Sequence, residues 1–443
     1  AGAALRRGAG ARALAARDLG PGGAVVGTAS NEIVASDTEA AALFEAFVRT
    51  HGRAYRTGEA EHRTRAAIFK ANLDHINAHN NQLGRRWTAG LNKFADWLPV
   101  ELAALRGYRP GRRAARLGGG GPGGELRGGG GVALVGGRTV RHADRAGREG
   151  HADLPANFTW RPRLRAMEYI INQRACGSCW AVASSVVLRA HSQLFQKDRT
   201  WSIQQILECS PNPKHCGGAG GCDGATIELA IDYAARHGVV EEDELPYIAS
   251  TRTCPASMRE KEPKGGAVNF NGDTTFTTEE IVNGGAGAGV GLVGWQKLPE
   301  NQLAPLMRAL VEVGPVAVTV AAPATWNFYT GGVMDSCEPH NVINHAVVLT
   351  GFGAEGPQNY WQIQNSWGMD WGEQGFIRLL RRDAEEQHCG WDTRPKEGTA
   401  CEGGPARVRV CGTCGILYDA VIPKFKLSAT GLWHKLGKHS PGA

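Results

Sequence analysis

The run Asn172-Gln173-Arg174-Ala175-Cys176-Gly177-Ser178-Cys179-Trp180 leads into Ala181 to Phe195, a stretch that reads as helix. The Cys179 thiol therefore sits at the first turn of a helix, facing backbone N–H groups without intrahelical partners and the positive end of the macrodipole. Both favour thiolate over thiol, and thiolate is the nucleophile. Two other chemistries compete. Cys176-x-x-Cys179 reads equally as a redox dithiol, and together with Cys411-x-x-Cys414 as a four-thiolate zinc site. The first lacks an early βαβ context. The second would need its cysteine pairs far closer than 176 and 411.

A thiolate needs a base that titrates near neutral pH, and histidine supplies it. Of the 14 histidines, His345 stands at the mouth of a β-branched apolar run, Asn344-His345-Ala346-Val347-Val348-Leu349-Thr350-Gly351-Phe352-Gly353. Glycines end that run, which reads as a buried strand. A histidine there is more often structural than catalytic. Asn365, in Gln364-Asn365-Ser366-Trp367-Gly368, weighs against that reading, because an amide carbonyl can hold the imidazole in one tautomer. Trp367 would shield that hydrogen bond from water.

The segments Cys176-Gly177-Ser178-Cys179-Trp180 and Asn365-Ser366-Trp367-Gly368-Met369-Asp370-Trp371-Gly372-Glu373-Gln374-Gly375-Phe376 resemble the nucleophile and asparagine loops of papain-like cysteine proteases of the cathepsin L type. Gln173, six residues before Cys179, matches that family's oxyanion-hole glutamine. Nucleophile, base, orienter and oxyanion donor occur in the family's order, and the redox and zinc readings give way.

The resemblance implies an α+β, two-lobed papain-like fold: a helical left lobe, an antiparallel β-barrel-like right lobe and a helical inhibitory propeptide ahead of both. It implies peptide hydrolysis through a thioester, with Cys179 attacking and His345 carrying the proton. No cofactor or metal is called for. The implied partners are protein and peptide substrates, the chain's own propeptide and cystatin-like inhibitors, with the enzyme a monomer and no nucleic acid bound. A catalytically dead binding or storage relative is the competing class, and such proteins normally lose the nucleophile that this chain retains. A third reading makes the proregion an inhibitor in its own right, if it survives cleavage.

The chain has 443 residues, 42% of them hydrophobic, enough for a substantial core. No apolar run approaches the length of a membrane span. Residues 1–150 carry 23 Lys and Arg against 13 Asp and Glu, and the remainder 26 against 30. A basic leading part facing an acidic remainder points to mutual attraction instead of nucleic-acid binding. With Cys179 set aside, ten cysteines remain, an even number that fits an oxidising compartment, lysosomal, vacuolar or secreted. The resemblance implies Cys176–Cys222, Cys209–Cys254 and Cys337–Cys414. Cys216, Cys389, Cys401 and Cys411 go beyond the family's usual set, and their pairing is open; Cys216 and Cys222 are even candidates to exchange roles.

Residues 1–40 are a low-complexity segment without an initiating Met or a signal-length apolar core, so the sequence is expected to begin downstream of a targeting segment. Residues 41–108 turn helical. Glu61, Arg65, Phe69, Asn72, Ile76 and Asn80 fall on one helical stripe, and the spacing matches the Glu-Arg-Phe-Asn-Ile-Asn pattern of cathepsin L-type propeptides. Gly90-x-Asn92-x-Phe94-x-Asp96 matches their second motif. Residues 109–150 form a Gly/Arg-rich linker that holds the activation cleavage between about Arg138 and Asp153. A basic propeptide on an acidic enzyme should loosen as carboxylates protonate, so activation is expected to be faster at acidic pH. Residues 151–422 are the peptidase domain, a helical lobe over 154–265 and a β lobe over 266–422, and 423–443 a basic tail with Trp433. Asn157-Phe158-Thr159 is a candidate glycosylation sequon. The long interval between Cys179 and His345 is assigned to Gly284–Gly289 and nearby surface loops.

By the same resemblance, Gly177, Gly224 and Ala225 pair with substrate backbone, Ala225 standing where the family has glycine. Ile227, Thr319, Ile343 and Ala346 line the pocket for the residue second from the scissile bond. Asp419 is expected at that pocket's floor, accepting Arg or Lys, or one position off and solvated. No paired-histidine occluding loop is visible, which favours an endopeptidase.

Overall fold

The computed structural model describes residues 36–107, 154–259 and 286–428. The linker with its expected cleavage region, Gly284, Gly285 and Trp433 lie outside them. Helix α1 (Asp37–Thr50) opens on a capping box: Ser36 Oγ accepts from the Glu39 N–H, and Glu39 Oε2 accepts from the Ser36 N–H at 2.8 Å. Such a cap is worth about 1 kcal/mol. It starts the helix inside the stretch assigned to low complexity through residue 40, which corrects that boundary.

The stripe on α2 (Ala60–Asn80) faces the rest of the N-terminal unit. Phe69 and Ile76 are buried, Phe69 packing on Phe44 and Phe47 of α1. Arg65 bridges Glu61 and Glu101. Asn72 Nδ2 donates to the Ala95 carbonyl at 2.8 Å, and the Asn80 amide exchanges two hydrogen bonds with Ala89. These bonds hold strand β1 (Trp87–Ala89) and the turn before α3 (Pro99–Ala104) against the helix. In the second motif, Asp96 accepts from Arg53 and from the Tyr55 hydroxyl, both at 2.6 Å.

Beyond the linker, α4 (Cys179–Phe195), α5 (Ile203–Cys209) and α6 (Ile227–His237) build the helical lobe. Helix α4 is buried on nearly all sides, packed among α5, α6 and the sheet of the other lobe. That explains why its sequence is apolar or small almost throughout. The second lobe is a sheet in the order β1, β5 (Tyr329–Met334), β8 (Phe376–Leu380), β7 (Gln358–Gln364), β6 (His345–Glu355), β4 (Val316–Val320), β11 (Ala420–Phe425) and β3 (Leu292–Lys297), with β2 (Phe158–Thr159) also on β6. All these pairs are antiparallel except β5 with β8. An amphipathic helix, α7 (Leu303–Glu312), packs on β4 and β6 within this lobe.

One further boundary moves. Strand β11 runs to Phe425, pairing Pro423 with Trp295, so the expected tail begins inside the sheet. In the Ala286–Val290 turn, Ala286 and Gly289 are exposed, while Gly287 packs so tightly on α6 that a Cβ would lie 2.7 Å from the Ala234 carbonyl.

Five disulfides are formed. Cys176–Cys222, Cys209–Cys254 and Cys337–Cys414 are the implied pairs; Cys216–Cys401 and Cys389–Cys411 use the four extra cysteines. Cys179 is free and buried. Cys176, Cys411 and Cys414 are thus committed elsewhere, which rules out both the redox and the zinc arrangements.

Candidate active site

Local bonds hold the loop before α4 in place. The Cys176–Cys222 bridge and the Gly177 N–H donated to the Cys222 carbonyl at 3.0 Å tie it to the next loop. Ser178 is the N-cap residue, so Cys179 is the first helical position, as its sequence context requires. The Tyr247 hydroxyl reaches both Ser178 Oγ and the Gln173 carbonyl, at 2.5 and 2.9 Å.

His345 opens β6 opposite Val320 of β4, and Asn365 follows β7 at the neighbouring strand end. His345 Nε2 donates to Asn365 Oδ1 at 2.7 Å, since an amide oxygen can only accept. That bond assigns the tautomer and leaves Nδ1 as the ring's acceptor; Nδ1 is buried and has no other partner. Trp367, fully buried, lies 5.1 Å from the imidazole centroid and seals the bond from water. Cys179 and His345 face one cleft between the lobes.

Burial sets the charge state. It pushes the Cys179 thiol up to about 11, against backbone N–H groups of Ala346 and Trp180 that favour thiolate. It brings His345 down to about 4, against the Asn365 bond, with the nearby Arg106 charge lowering it further. In this closed state burial works against the charged form of both groups, and so against the thiolate that the helix terminus favours.

The cover is the segment after α3. The Leu105 carbonyl accepts from Gln173 Nε2 at 3.0 Å, and that amide also donates to the Cys176 carbonyl. Gly107, at φ +66°, lies so close to the nucleophile that a Cβ there would stand 2.9 Å from Cys179 Sγ. Gly177 and Gly224 flank the same residue: a Cβ on Gly224 would fall 1.7 Å from the Gly107 carbonyl oxygen. Arg106 turns aside, donating to the Ala322 carbonyl at 2.6 Å, the Pro323 carbonyl at 3.2 Å and Asn327 Oδ1 at 2.9 Å. Upstream, Lys93 binds Asp370 and the Trp367 carbonyl, both at 2.5 Å, and Phe94 meets Trp367 edge-on at 5.7 Å.

Ile227, Thr319, Ile343 and Ala346 line the pocket beside Cys179, and Ala225, read in sequence as a backbone-pairing position, lines it too. Asp419 does not. Strand β11 begins at Ala420 paired with Val318, which aims Asp419 behind Thr319. There it is 2% exposed, 3.2 Å from Lys297 Nζ and 3.3 Å from Thr319 Oγ1. It is neither a pocket floor nor a solvated carboxylate. The burial of Glu228 beside it, and then its own charge, raise the Glu228 carboxyl. Sequence reading missed Leu105, Arg106 and Gly107, although a glycine three residues past the end of α3 is a signal for close backbone approach. It also missed Gly217, Glu397 and Gly398, which complete the pocket wall.

Residues 44–102 match the cathepsin propeptide inhibitor domain (I29). Cysteine protease 1 of Oryza sativa subsp. japonica is 27% identical over 369 residues, covering 80% of this chain and 64% of that protein. The chain thus spans less than two thirds of that relative's length. Cathepsin L1 of Drosophila melanogaster is 28% identical over 361 residues, covering 78% of this chain and 81% of that one. The structure of digestive procathepsin L 3 from Tenebrio molitor larval midgut superposes with a TM-score of 0.58 at 23% identity, over 87% of this chain and 99% of that one, a likeness of fold. Residues 154–399, more than half of the sequence, match the papain family cysteine protease domain, and the chain belongs to that family.

Proposed function

We propose that this chain is the zymogen of a cysteine endopeptidase. Cys179 Sγ attacks a peptide carbonyl after passing its proton to His345 Nδ1. The Gln173 amide and the Cys179 backbone N–H hold the resulting oxyanion. The imidazolium protonates the leaving amine, and neutral imidazole then activates water to release the acyl group from sulfur. Asn365 is a positioning residue: it fixes the ring and tautomer. Trp367 shields it. Gly177, Gly224 and Ala225 bind substrate backbone, and Ile227, Thr319, Ile343 and Ala346 take an apolar side chain second from the scissile bond.

The observation that carries this reading is the 2.7 Å bond from His345 to Asn365, which leaves Nδ1 unpartnered in the cleft that holds the free thiol. We assign residues 41–108, extended to Ser36, to the inhibitory propeptide, 109–150 to the linker cut on activation, and 151 onward to the peptidase. Five disulfides support an oxidising compartment, lysosomal, vacuolar or secreted. Among the described residues no helix is long and apolar enough to cross a membrane.

The test is labelling with an epoxide-type thiol inhibitor at pH about 5 in reductant, after processing. Label on Cys179, lost in His345→Ala, is expected together with peptide cleavage. Neither labelling nor cleavage in the processed protein would leave a binding or storage role.

A further inference from the structure

The four cysteines beyond the usual set build one feature. Strands β9 (Cys389–Asp392) and β10 (Val408–Cys411) form an antiparallel pair closed by Cys389–Cys411 on the β lobe. Between them the chain leaves for the other lobe. Its departure is fixed by Asp392, a fully buried carboxylate that accepts from the Ile343 N–H at 3.0 Å and the Arg394 N–H at 2.7 Å. Its arrival is fixed by Cys216–Cys401, by the Gly217 N–H donated to the Ala400 carbonyl at 3.1 Å, and by the Glu402 N–H donated to the Lys214 carbonyl at 2.8 Å. Midway, Gly398 is wedged between the lobes. A Cβ there would lie 1.7 Å from the Ile343 carbonyl oxygen on one side, and a Cβ on Gly217 would lie 2.7 Å from the Gly398 carbonyl on the other. The same Gly217 Cβ would meet the Ala225 backbone at 3.0 Å.

Ile343 and Ala225 are opposite walls of the pocket for the residue second from the scissile bond, and Glu397 and Gly398 join its lining. The strap therefore crosses the cleft where a bound peptide's third residue on the amino side would continue. Glu397 brings a carboxylate to that crossing, partnered by Arg394 at 3.1 Å, whose side chain is largely exposed. A peptide that ends there with a free amino group meets a negative charge.

We propose that this strap closes the amino-terminal half of the cleft beyond two residues, so that the mature enzyme prefers substrates with two residues and a free amino group before the scissile bond. The proposal rests on the cysteine peptidase reading above and deepens its substrate class: where it holds, release of dipeptides from an amino terminus takes the place of internal cleavage.

The experiment uses the activated enzyme and reporter peptides with one to four residues before the reporter, each with a free or acetylated amino end. The expected kcat/KM is greatest for two residues with a free amine. It falls about tenfold or more on acetylation or on adding a third residue. Glu397→Gln should remove the preference for a free amine alone, and Cys216→Ser with Cys401→Ser should raise cleavage of the three- and four-residue peptides. A mass-spectrometric time course on a long unblocked peptide covers the case in which the cysteine variant does not fold. Stepwise loss of dipeptides supports the strap's role. Early internal fragments, or four-residue reporters cut as fast as two-residue ones, overturn it. Epoxide labelling of Cys179 is followed in parallel: labelling with internal cleavage defeats the strap proposal alone, whereas absent labelling and absent cleavage defeat the peptidase reading and this one with it.

Discussion

Gln173 Nε2 and the Leu105 carbonyl oxygen stand 3.0 Å apart, so the prosegment places a peptide carbonyl on the donor that the oxyanion of a reacting substrate would need. Leu105 lies beside a nucleophile that Gly107 covers and whose thiol burial raises. Gln173→Ala should lower kcat of the processed enzyme about 100- to 1,000-fold with a smaller effect on KM. Steady-state kinetics on one reporter peptide separates the two; a pure KM effect would assign Gln173 to ground-state binding.

Arg106 anchors the prosegment at the active site through hydrogen bonds to two carbonyls and Asn327. Burial without a carboxylate partner lowers its pKa to about 10, so it remains charged at working pH. Arg106→Ala should weaken the closed state about 10- to 100-fold, as expected for losing charged hydrogen bonds. The readout is the rate of epoxide labelling of Cys179 in uncleaved zymogen, which should rise by that factor.

Acid should release the prosegment. Arg65 holds the Glu101 carboxyl below its ordinary range. A carboxyl held low in the closed state stabilises that state above its unfolded value, near 4.5, and the contribution is lost as pH falls through the folded value. Glu242, Glu385 and Asp392 in the peptidase body are raised by burial, so they bind protons more readily when folded, and acidification favours that body. Processing of purified zymogen should therefore accelerate as pH drops toward about 4. Glu101→Gln should process faster at neutral pH and show a flatter pH profile.

Asp419 should not confer acceptance of basic residues, because Lys297 already neutralises it. In Asp419→Ala the ratio of Arg-Arg to Leu-Arg reporter cleavage should stay constant, while stability falls by about 1–3 kcal/mol as Lys297 and Thr319 lose a buried acceptor. Thermal unfolding and the two reporters distinguish this from a pocket-floor role.

His345→Ala should cost about 100- to 10,000-fold in kcat, the usual range for a general acid–base group. Asn365→Ala should cost less, since the ring keeps its packing against Trp367. The pH–rate profile of Asn365→Ala should also shift, because the bond it loses favours the imidazolium.

The site was legible where function demands a residue type at fixed spacing. Cys179, Gln173, His345 and Asn365 each carry a local context of turn, strand mouth or helix start, and the stripe on α2 announces itself by period. Asp419 was misread because its direction depends on where β11 begins to pair, and pairing partners a hundred residues away leave no local mark. The helix terminus at Cys179 is visible in sequence, whereas burial under Gly107, which raises the thiol in the covered state, arises only from tertiary contact. The partners of Cys216, Cys389, Cys401 and Cys411 were open because spacing alone does not select among pairings.

The processing proposed above would also uncover an edge. Strand β1 belongs to the prosegment yet hydrogen-bonds to β5 at the margin of the peptidase sheet, with Trp87 opposite Gly332. Once it departs, β5 presents unsatisfied backbone groups that invite a strand from another molecule. Gly332 at φ +93° and the irregular register beside Ala89 make that margin short and uneven. A freshly activated molecule thereby offers its neighbours a poor template for polymerisation, even when many are crowded together.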